Sequence, residues 1–360
     1  MKRGFLALED GSVFRGFVLG EGEVYGEVVF NTAMTGYQEV LTDPSYRGQI
    51  VVMTAPHVGN YGVNEHDLES SEIHVRAFVV RDLSFYASSW RAEKSLSDFL
   101  ISSGVLVMWG VDTRAIVKRI RTRGVMKGVL STLDRSPQEL INLAKNAPDI
   151  SVQDLVSEVS TRKSYLWNAD DIGKIRKPVL VVDFGLKRNI LRCLESVGLD
   201  PVVVSPENAT ECVRDLSPLG VVLSNGPGDP RSVKAGFEFV RQIIGKMPLL
   251  GICLGHQLIS IALGGEVFKL RFGHHGVNHP VKDLRNNRVL ITSQNHNYAV
   301  DLSSVKGVNI THKNLLDDTI EGFEVQELKI KCVQFHPEAA PGPGDAFGVF
   351  KEFVSMIDGC

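Results

Sequence analysis

The segment LLGICLGHQLI, Leu249 to Ile259, places Cys253 between Gly251 and Gly255, where an apolar run gives way to a helical pattern. A strand that turns sharply into a helix pushes the residue at the turn outward, and small neighbours keep the backbone there free of clashes. The helix starting near Leu254 directs its unpaired N–H groups and positive dipole end at the sulfur, which favours the nucleophilic thiolate over the thiol. An ordinary thiol, with a pKa of about 8.5, is mostly protonated at neutral pH, so a base beside it adds a large factor. Most intracellular cysteines are inert core residues. Glycine on both sides at a strand-to-helix turn shifts the reading towards a nucleophile.

A base is offered by KCVQFHPEAAPGPGD, where His336 ends an apolar run and Glu338 follows two residues later, on the same face of an extended chain. Glu338 would fix the tautomer and orientation of the imidazole, as the acid of a triad does. The sequence distance of 83 residues from Cys253 to His336 is no obstacle, because the fold assembles such groups. Alone, a His before Pro at a strand end is more often structural. SNGPGDP, Ser224 to Pro230, supplies tight turns that expose backbone donors, and the N–H groups of Gly228 and Leu254 are the candidates for an oxyanion hole. Without its neighbours that motif is a plain Gly-Pro turn. His296, in SQNHNYAVD, ranks second as a base because no carboxylate lies two residues away. His274, His275 and His279 are not expected to form a metal site, since no acid or thiol completes a ligand spacing.

These groups need a scaffold, and the rhythm after Lys177 provides one. PVLVVDFG, PVVVSP, GVVLSNGPGDP and MPLLGIC are strand-like runs that alternate with the helical patterns KRNILRCLESVG, VKAGFEFVRQII and LGHQLISIALGG. Strands apolar on both faces, alternating with helices, predict a mostly parallel sheet covered on both sides, with a ligand outside the carboxyl ends of the strands. Residues 1–150 instead carry short β-prone runs such as GSVFRGFVLG, GEVVFNT, GQIVVMT and HVRAFVV, with helix-like SLSDFLISSG and TRAIVKRIRTRG, and predict a smaller mixed β/α domain. Residues 151–177 read as a linker that partly packs on one domain, and 178–360 as the α/β domain.

The balance of 39 basic and 42 acidic residues, with no long run of one sign, points away from nucleic acid and from membrane surfaces. Glu9 and Asp10 interrupt the opening apolar stretch before it reaches signal-peptide length, and no segment is long enough to span a bilayer. Five cysteines without paired spacing suggest a reducing, cytoplasmic setting.

GICLGHQ and HPE, in this order over about 180 residues, resemble the class I, or triad, glutamine amidotransferases. That resemblance implies a flavodoxin-like C-terminal domain hydrolysing the glutamine side-chain amide through a thioester on cysteine. NTAMTGYQEVLTDPSYRGQIV, DFGLKRNILR, LSNGPGDP, FGHHGVNHPVKD, QNHNYAVD and FHPEAAPGP extend the likeness along the chain to the small subunits of carbamoyl phosphate synthetases. It implies Cys253 as nucleophile, His336 as base and Glu338 as its orienter. It implies L-glutamine contacts at Ser45, Gly226, Gly228, Leu254, Gln257, Asn295, Asn297 and Tyr298. The family usually has glycine where Asn297 stands; if the position requires a left-handed backbone, Asn is the least costly replacement. No GxxxxGK[ST] loop is present, so ATP and Mg would be used by a large-subunit partner, in a heterodimer able to assemble further, and this chain would carry no cofactor. The alternatives are an amidotransferase subunit of another synthase, a non-catalytic regulatory subunit, or a general cysteine hydrolase.

Overall fold

Strands in the first part of the chain are short and alternate cleanly between two environments. They are β1 (Lys2–Leu8), β2 (Val13–Leu19), β3 (Glu23–Asn31), β4 (Gln49–Met53), β5 (His57–Val58), β6 (Ala77–Val79), β7 (Asp82–Leu83), β8 (Leu106–Trp109) and β9 (Met126–Ser131) in a computed structural model that describes residues 2–168 and 175–359. In the order β1-β2-β8-β6-β4-β3-β9 they close into a barrel, and β5 pairs with β7. Closure leaves no open sheet edge to manage. In β1, Leu6 and Leu8 join one buried cluster with Val28, Ile50, Val52 and Met108, whereas Ala7 packs with Val129, Leu140 and Ala144. The helix Pro137–Asn146, opened by a capping box between Ser136 and Glu139, supplies Leu140 and Ala144. The helix Thr113–Arg123 inserts Ile116 and Ile120, four residues apart on one face, into the larger cluster. This unit comprises Met1–Gln153 with Arg271–Gly276.

The second unit, Asp154–Leu270 with Val277–Cys360, is built on a ten-stranded sheet. Its strands are β10 (Tyr165–Leu166), β11 (Pro178–Val182), β12 (Asp200–Val204), β13 (Gly220–Leu223), β14 (Leu249–Ile252), β15 (Glu266–Asp283), β16 (Arg288–Asp301), β17 (Asn309–Asn314), β18 (Ile320–Val325) and β19 (Ile330–Val333). The order is β10-β12-β11-β13-β14-β19-β18-β17-β15-β16. From β12 to β19 the pairs are parallel, as the strand–helix alternation predicts, and antiparallel strands extend both sides of that core. The two apolar faces of the central strands are both used. Leu180 and Val182 of β11 pack with Phe239, Val240 and Leu258, while Val179 and Val181 pack with Ile190, Leu194, Phe350 and Phe353 on the other side.

The stretch read as a linker has structure of its own. Asp154 caps the short helix Leu155–Val159, which buries Leu155 and Val156, and β10 adds an edge strand to β12. Within that stretch, Ala169 to Lys174 lie outside the described residues, as does Cys360. No helix among the described residues is long and apolar enough to cross a membrane.

Candidate active site

Cys253 stands between β14 and the helix Leu254–Ala262 with φ 52° and ψ −99°, a backbone conformation that costs a non-glycine residue about 1–3 kcal/mol. The surrounding contacts hold it there. Its N–H donates to Val333 O at 2.9 Å, and the N–H of Gly255 donates to Ser224 O at 3.1 Å. The flanking glycines are required by space. A Cβ on Gly255 would lie 2.2 Å from Leu223 O, and one on Gly251 would lie 2.9 Å from the backbone of Gly255. The side chain is only 2% exposed. Its thiol donates to Asn295 O at 3.6 Å and accepts from Gln334 Nε2 at 3.6 Å.

His336 follows β19 and is tied to β16 through its N–H, which donates to Ser293 O at 2.9 Å. Its Nδ1 meets Glu338 Oε1 at 2.6 Å, which assigns the ring proton on that side to a bond with the carboxylate. Nε2 is buried with no hydrogen-bond partner among the described residues. Burial alone would push the imidazole pKa down, but the Glu338 carboxylate outweighs it and raises the value, and Cys253 contributes in the same direction.

Behind Glu338 stands a residue that the sequence reading missed. Lys187 Nζ donates to Glu338 Oε1 at 2.9 Å, and both side chains are sealed from solvent, at 2% and 0% exposure. Burial would raise the Glu338 pKa; Lys187 and His336 together hold it well below the usual carboxylate range. Lys187 reaches this point from the turn DFGLK after β11, which is fixed by Asp183 Oδ1 accepting from the N–H groups of Gly185 and Leu186 at 2.9 and 2.8 Å. The N–H of Lys187 donates to Asn225 Oδ1 at 3.1 Å, linking this turn to the SNGPGDP loop. The only sequence signal was a lysine beside an apolar helical run, which ordinarily marks a solvated helix start.

The other candidates separate by place. Gly226 is pressed against Phe184 O and the Leu254 side chain, at 2.3 and 2.8 Å from an added Cβ, so the SNGPGDP loop abuts the start of the Cys253 helix. Gly228 has φ 88°, the left-handed backbone that its glycine allows. Gln257 Nε2 donates to Tyr298 O at 3.1 Å and to Gln334 Oε1 at 3.0 Å, so Gln257, Tyr298, Gln334 and the thiol form one connected set. Gln334, also missed, lies two residues before His336, on the same alternation. His296 has its Nδ1 on Tyr298 O at 2.7 Å and its Nε2 on Gln294 Oε1 at 3.2 Å. Asn297 lies within β16 and is absent from the positive-φ positions, so the left-handed backbone considered for it does not occur. Ser45 belongs to the barrel unit, where its N–H donates to Asp43 Oδ1 at 2.9 Å.

Comparison with known proteins gives this arrangement a family. Residues 6–130 match the model of the carbamoyl-phosphate synthase small chain, CPSase domain, and residues 180–356 that of glutamine amidotransferase class-I. The carbamoyl phosphate synthase small chain of Aquifex aeolicus is 53% identical over 99% of this chain and 100% of its own length. The chain belongs to the carbamoyl phosphate synthase small-chain family. The member from Syntrophotalea carbinolica is 47% identical over 99% of this chain and 98% of its own, and a chloroplastic small chain of Oryza sativa is 47% identical over 98% and 81%. As a small chain with a class I amidotransferase domain, the protein is a glutamine amidotransferase enzyme subunit. The cysteine turn, the His336–Glu338 pair and Lys187 all fall in the amidotransferase match.

Proposed function

We propose that this chain is the glutaminase subunit of a glutamine-dependent carbamoyl phosphate synthetase. The observation that carries the reading is the buried chain Lys187–Glu338–His336, ending in an imidazole nitrogen with no partner beside the strained Cys253 turn. Two cations against one carboxylate leave this interior one positive charge in excess when His336 is protonated, and a Cys253 thiolate balances it.

The thiolate attacks the side-chain carboxamide carbon of L-glutamine, and the C=O electron pair moves to oxygen, where the N–H groups of Gly228 and Leu254 receive the negative charge. As the tetrahedral species collapses, the C–N bond breaks and His336 Nε2 gives its proton to the departing nitrogen, so ammonia leaves and a γ-glutamyl thioester remains. Water then attacks the thioester carbon while neutral His336 takes its proton; a carbon–oxygen bond forms, the carbon–sulfur bond breaks as the tetrahedral species collapses, and glutamate departs with the thiolate restored. Throughout, Glu338 holds Nδ1–H in place and Lys187 keeps Glu338 ionised. Gly226, Gly228, Leu254, Gln257, Asn295, Asn297 and Tyr298 hold the substrate, whose zwitterionic end requires amide, hydroxyl and backbone partners.

The ammonia passes through an internal channel to a large-subunit partner, which makes carbamoyl phosphate from bicarbonate with ATP and Mg for pyrimidine and arginine biosynthesis. A channel keeps the nitrogen unprotonated, since free ammonia is mostly ammonium at neutral pH. The likeness over the full length of bacterial small chains supports this division of labour. Among the described residues, Cys212, Cys253 and Cys332 are free thiols, in keeping with a reducing compartment such as the cytoplasm. The test is Cys253→Ser in the complex with its large subunit. Glutamine-dependent synthesis should vanish, trapping by a glutamine-like electrophile should cease, and ammonia-dependent synthesis should persist; loss of synthesis from ammonia as well refutes the proposal.

A further inference from the structure

On the barrel unit, the helix Thr113–Arg123 has the sequence TRAIVKRIRTR, with five cations and no acid. Ile116 and Ile120 anchor one face in the core, which commits the other faces to solvent. Arg114, Lys118 and Arg121 fall at i, i+4 and i+7, one stripe of the helix. With Thr54, Thr113 and Val117 they line a cavity of about 190 Å³. None of the three cations has an acidic or hydrogen-bonding partner among the described residues, whereas Arg119, on another face, lies 3.9 Å from Asp10. Asp112, the nearest carboxylate in sequence, is occupied in capping the helix, its Oδ1 accepting from Ala115 N–H at 2.9 Å.

The second observation is Thr113 itself. It is only 5% exposed, it lines the cavity, and its hydroxyl makes no hydrogen bond among the described residues. The hydroxyl oxygen itself still reaches solvent, so it is available to donate to a ligand oxygen in the cavity. We propose that this cavity is an anion site that takes a phosphate group, either the free ion or the head of a small phosphate ester. Three cations match a doubly charged tetrahedral group, and Thr113 and Thr54 place hydroxyl donors among them. The volume falls below that of pockets that hold drug-sized molecules, so the phosphate is the recognised part and a larger remainder would stay outside. The recessed hydroxyl favours a ligand that enters over an acidic protein surface that would meet the cations at the rim.

Direct titration of the full-length chain with inorganic phosphate, and in a second arm with glycerol 3-phosphate, tests the proposal at constant ionic strength in chloride. Saturable binding at one site is expected. The pair Arg114→Gln/Arg121→Gln should weaken it by at least about tenfold, as loss of two charge-assisted contacts predicts, and Thr113→Val should weaken it where Thr113→Ser does not. The pair Arg119→Gln/Arg123→Gln, with the same change in charge off the cavity, should leave affinity within about twofold. Tighter binding of the ester identifies a head-group site, and equal binding a site for the free ion. Circular dichroism and glutamine hydrolysis report whether each variant is folded. Non-saturable binding, equal weakening by both pairs, or charge reversal at Arg114 that releases a protein partner while phosphate never binds would each overturn the assignment.

Discussion

Gly255→Ala is the sharpest perturbation of the cysteine turn, because it adds one methyl group and no charge. That methyl carbon would sit 2.2 Å from Leu223 O and 2.6 Å from Leu223 Cβ. Non-bonded carbon contacts settle near 3.5–4.0 Å, so the two backbones must separate by roughly 1 Å. β13 cannot supply that movement, since β11 and β14 hydrogen-bond it on both sides. The shift therefore falls on Cys253, Leu254 and Gly255, and it strains the 2.9 Å bond from Cys253 N–H to Val333 O and the 3.1 Å bond from Gly255 N–H to Ser224 O. Overpacking costs about 1–3 kcal/mol and each weakened hydrogen bond about 1 kcal/mol, so we expect a stability loss of about 2–5 kcal/mol. A nucleophile displaced by 1 Å loses on the order of a hundredfold in rate. Urea unfolding and steady-state glutamine hydrolysis measure the two effects separately. Gly264→Ala is the control: its φ is 92°, but nothing lies within 4 Å of an added Cβ, so it carries backbone strain without the clash. Retention of hydrolysis within about threefold by Gly255→Ala, or an equal loss in Gly264→Ala, would refute the steric argument.

Glu338→Gln removes the group that raises the His336 pKa to about 10, leaving burial to dominate and lower it. A raised folded pKa adds stability that is fully present below the unfolded value of about 6.5 and is lost as pH rises through the folded one, so urea unfolding should show that alkaline loss in the parent protein and its disappearance in the variant. Lys187→Met leaves Glu338 facing His336 alone in a sealed interior and should destabilise the protein by about 3–5 kcal/mol; full stability in the variant would mean that the pair is not buried as described. His256 is the opposite case: burial, with no hydrogen-bond partner for its ring among the described residues, lowers its pKa to about 3. The unfolded chain then takes up a proton that the folded one refuses, and stability falls by about 1.4 kcal/mol per unit as pH drops below about 6.5, a slope that His256→Leu should remove in the same titration.

How far the sequence could be read depends on whether a residue's role is written in its neighbours along the chain. The parallel core was legible because Val179 to Val182 are apolar at every position, which only a strand covered on both faces accepts. The antiparallel strands β15 to β18 were not, because their residues are half-polar and long hairpins carry no strand–helix rhythm. The short helix Leu155–Val159 was hidden for a related reason, since its two buried side chains make too short an apolar pattern.

In the candidate site, the glycines around Cys253 and the two-residue spacing of His336 and Glu338 are local signals, and the structure brings those side chains into the geometry described. Lys187 is different. It is 151 residues from Glu338, it sits at a helix start where lysine is ordinarily solvated, and nothing adjacent to it marks burial. What makes it intelligible is charge accounting in three dimensions. A carboxylate sealed from water has to be neutralised, and an imidazole held at 2.6 Å does so only while it is protonated. Each time His336 releases its proton, Glu338 would be left as an isolated buried anion were Lys187 not bonded to the same oxygen. An acid that must remain ionised through both protonation states of its histidine needs a second, permanent cation, and only the fold can place one there.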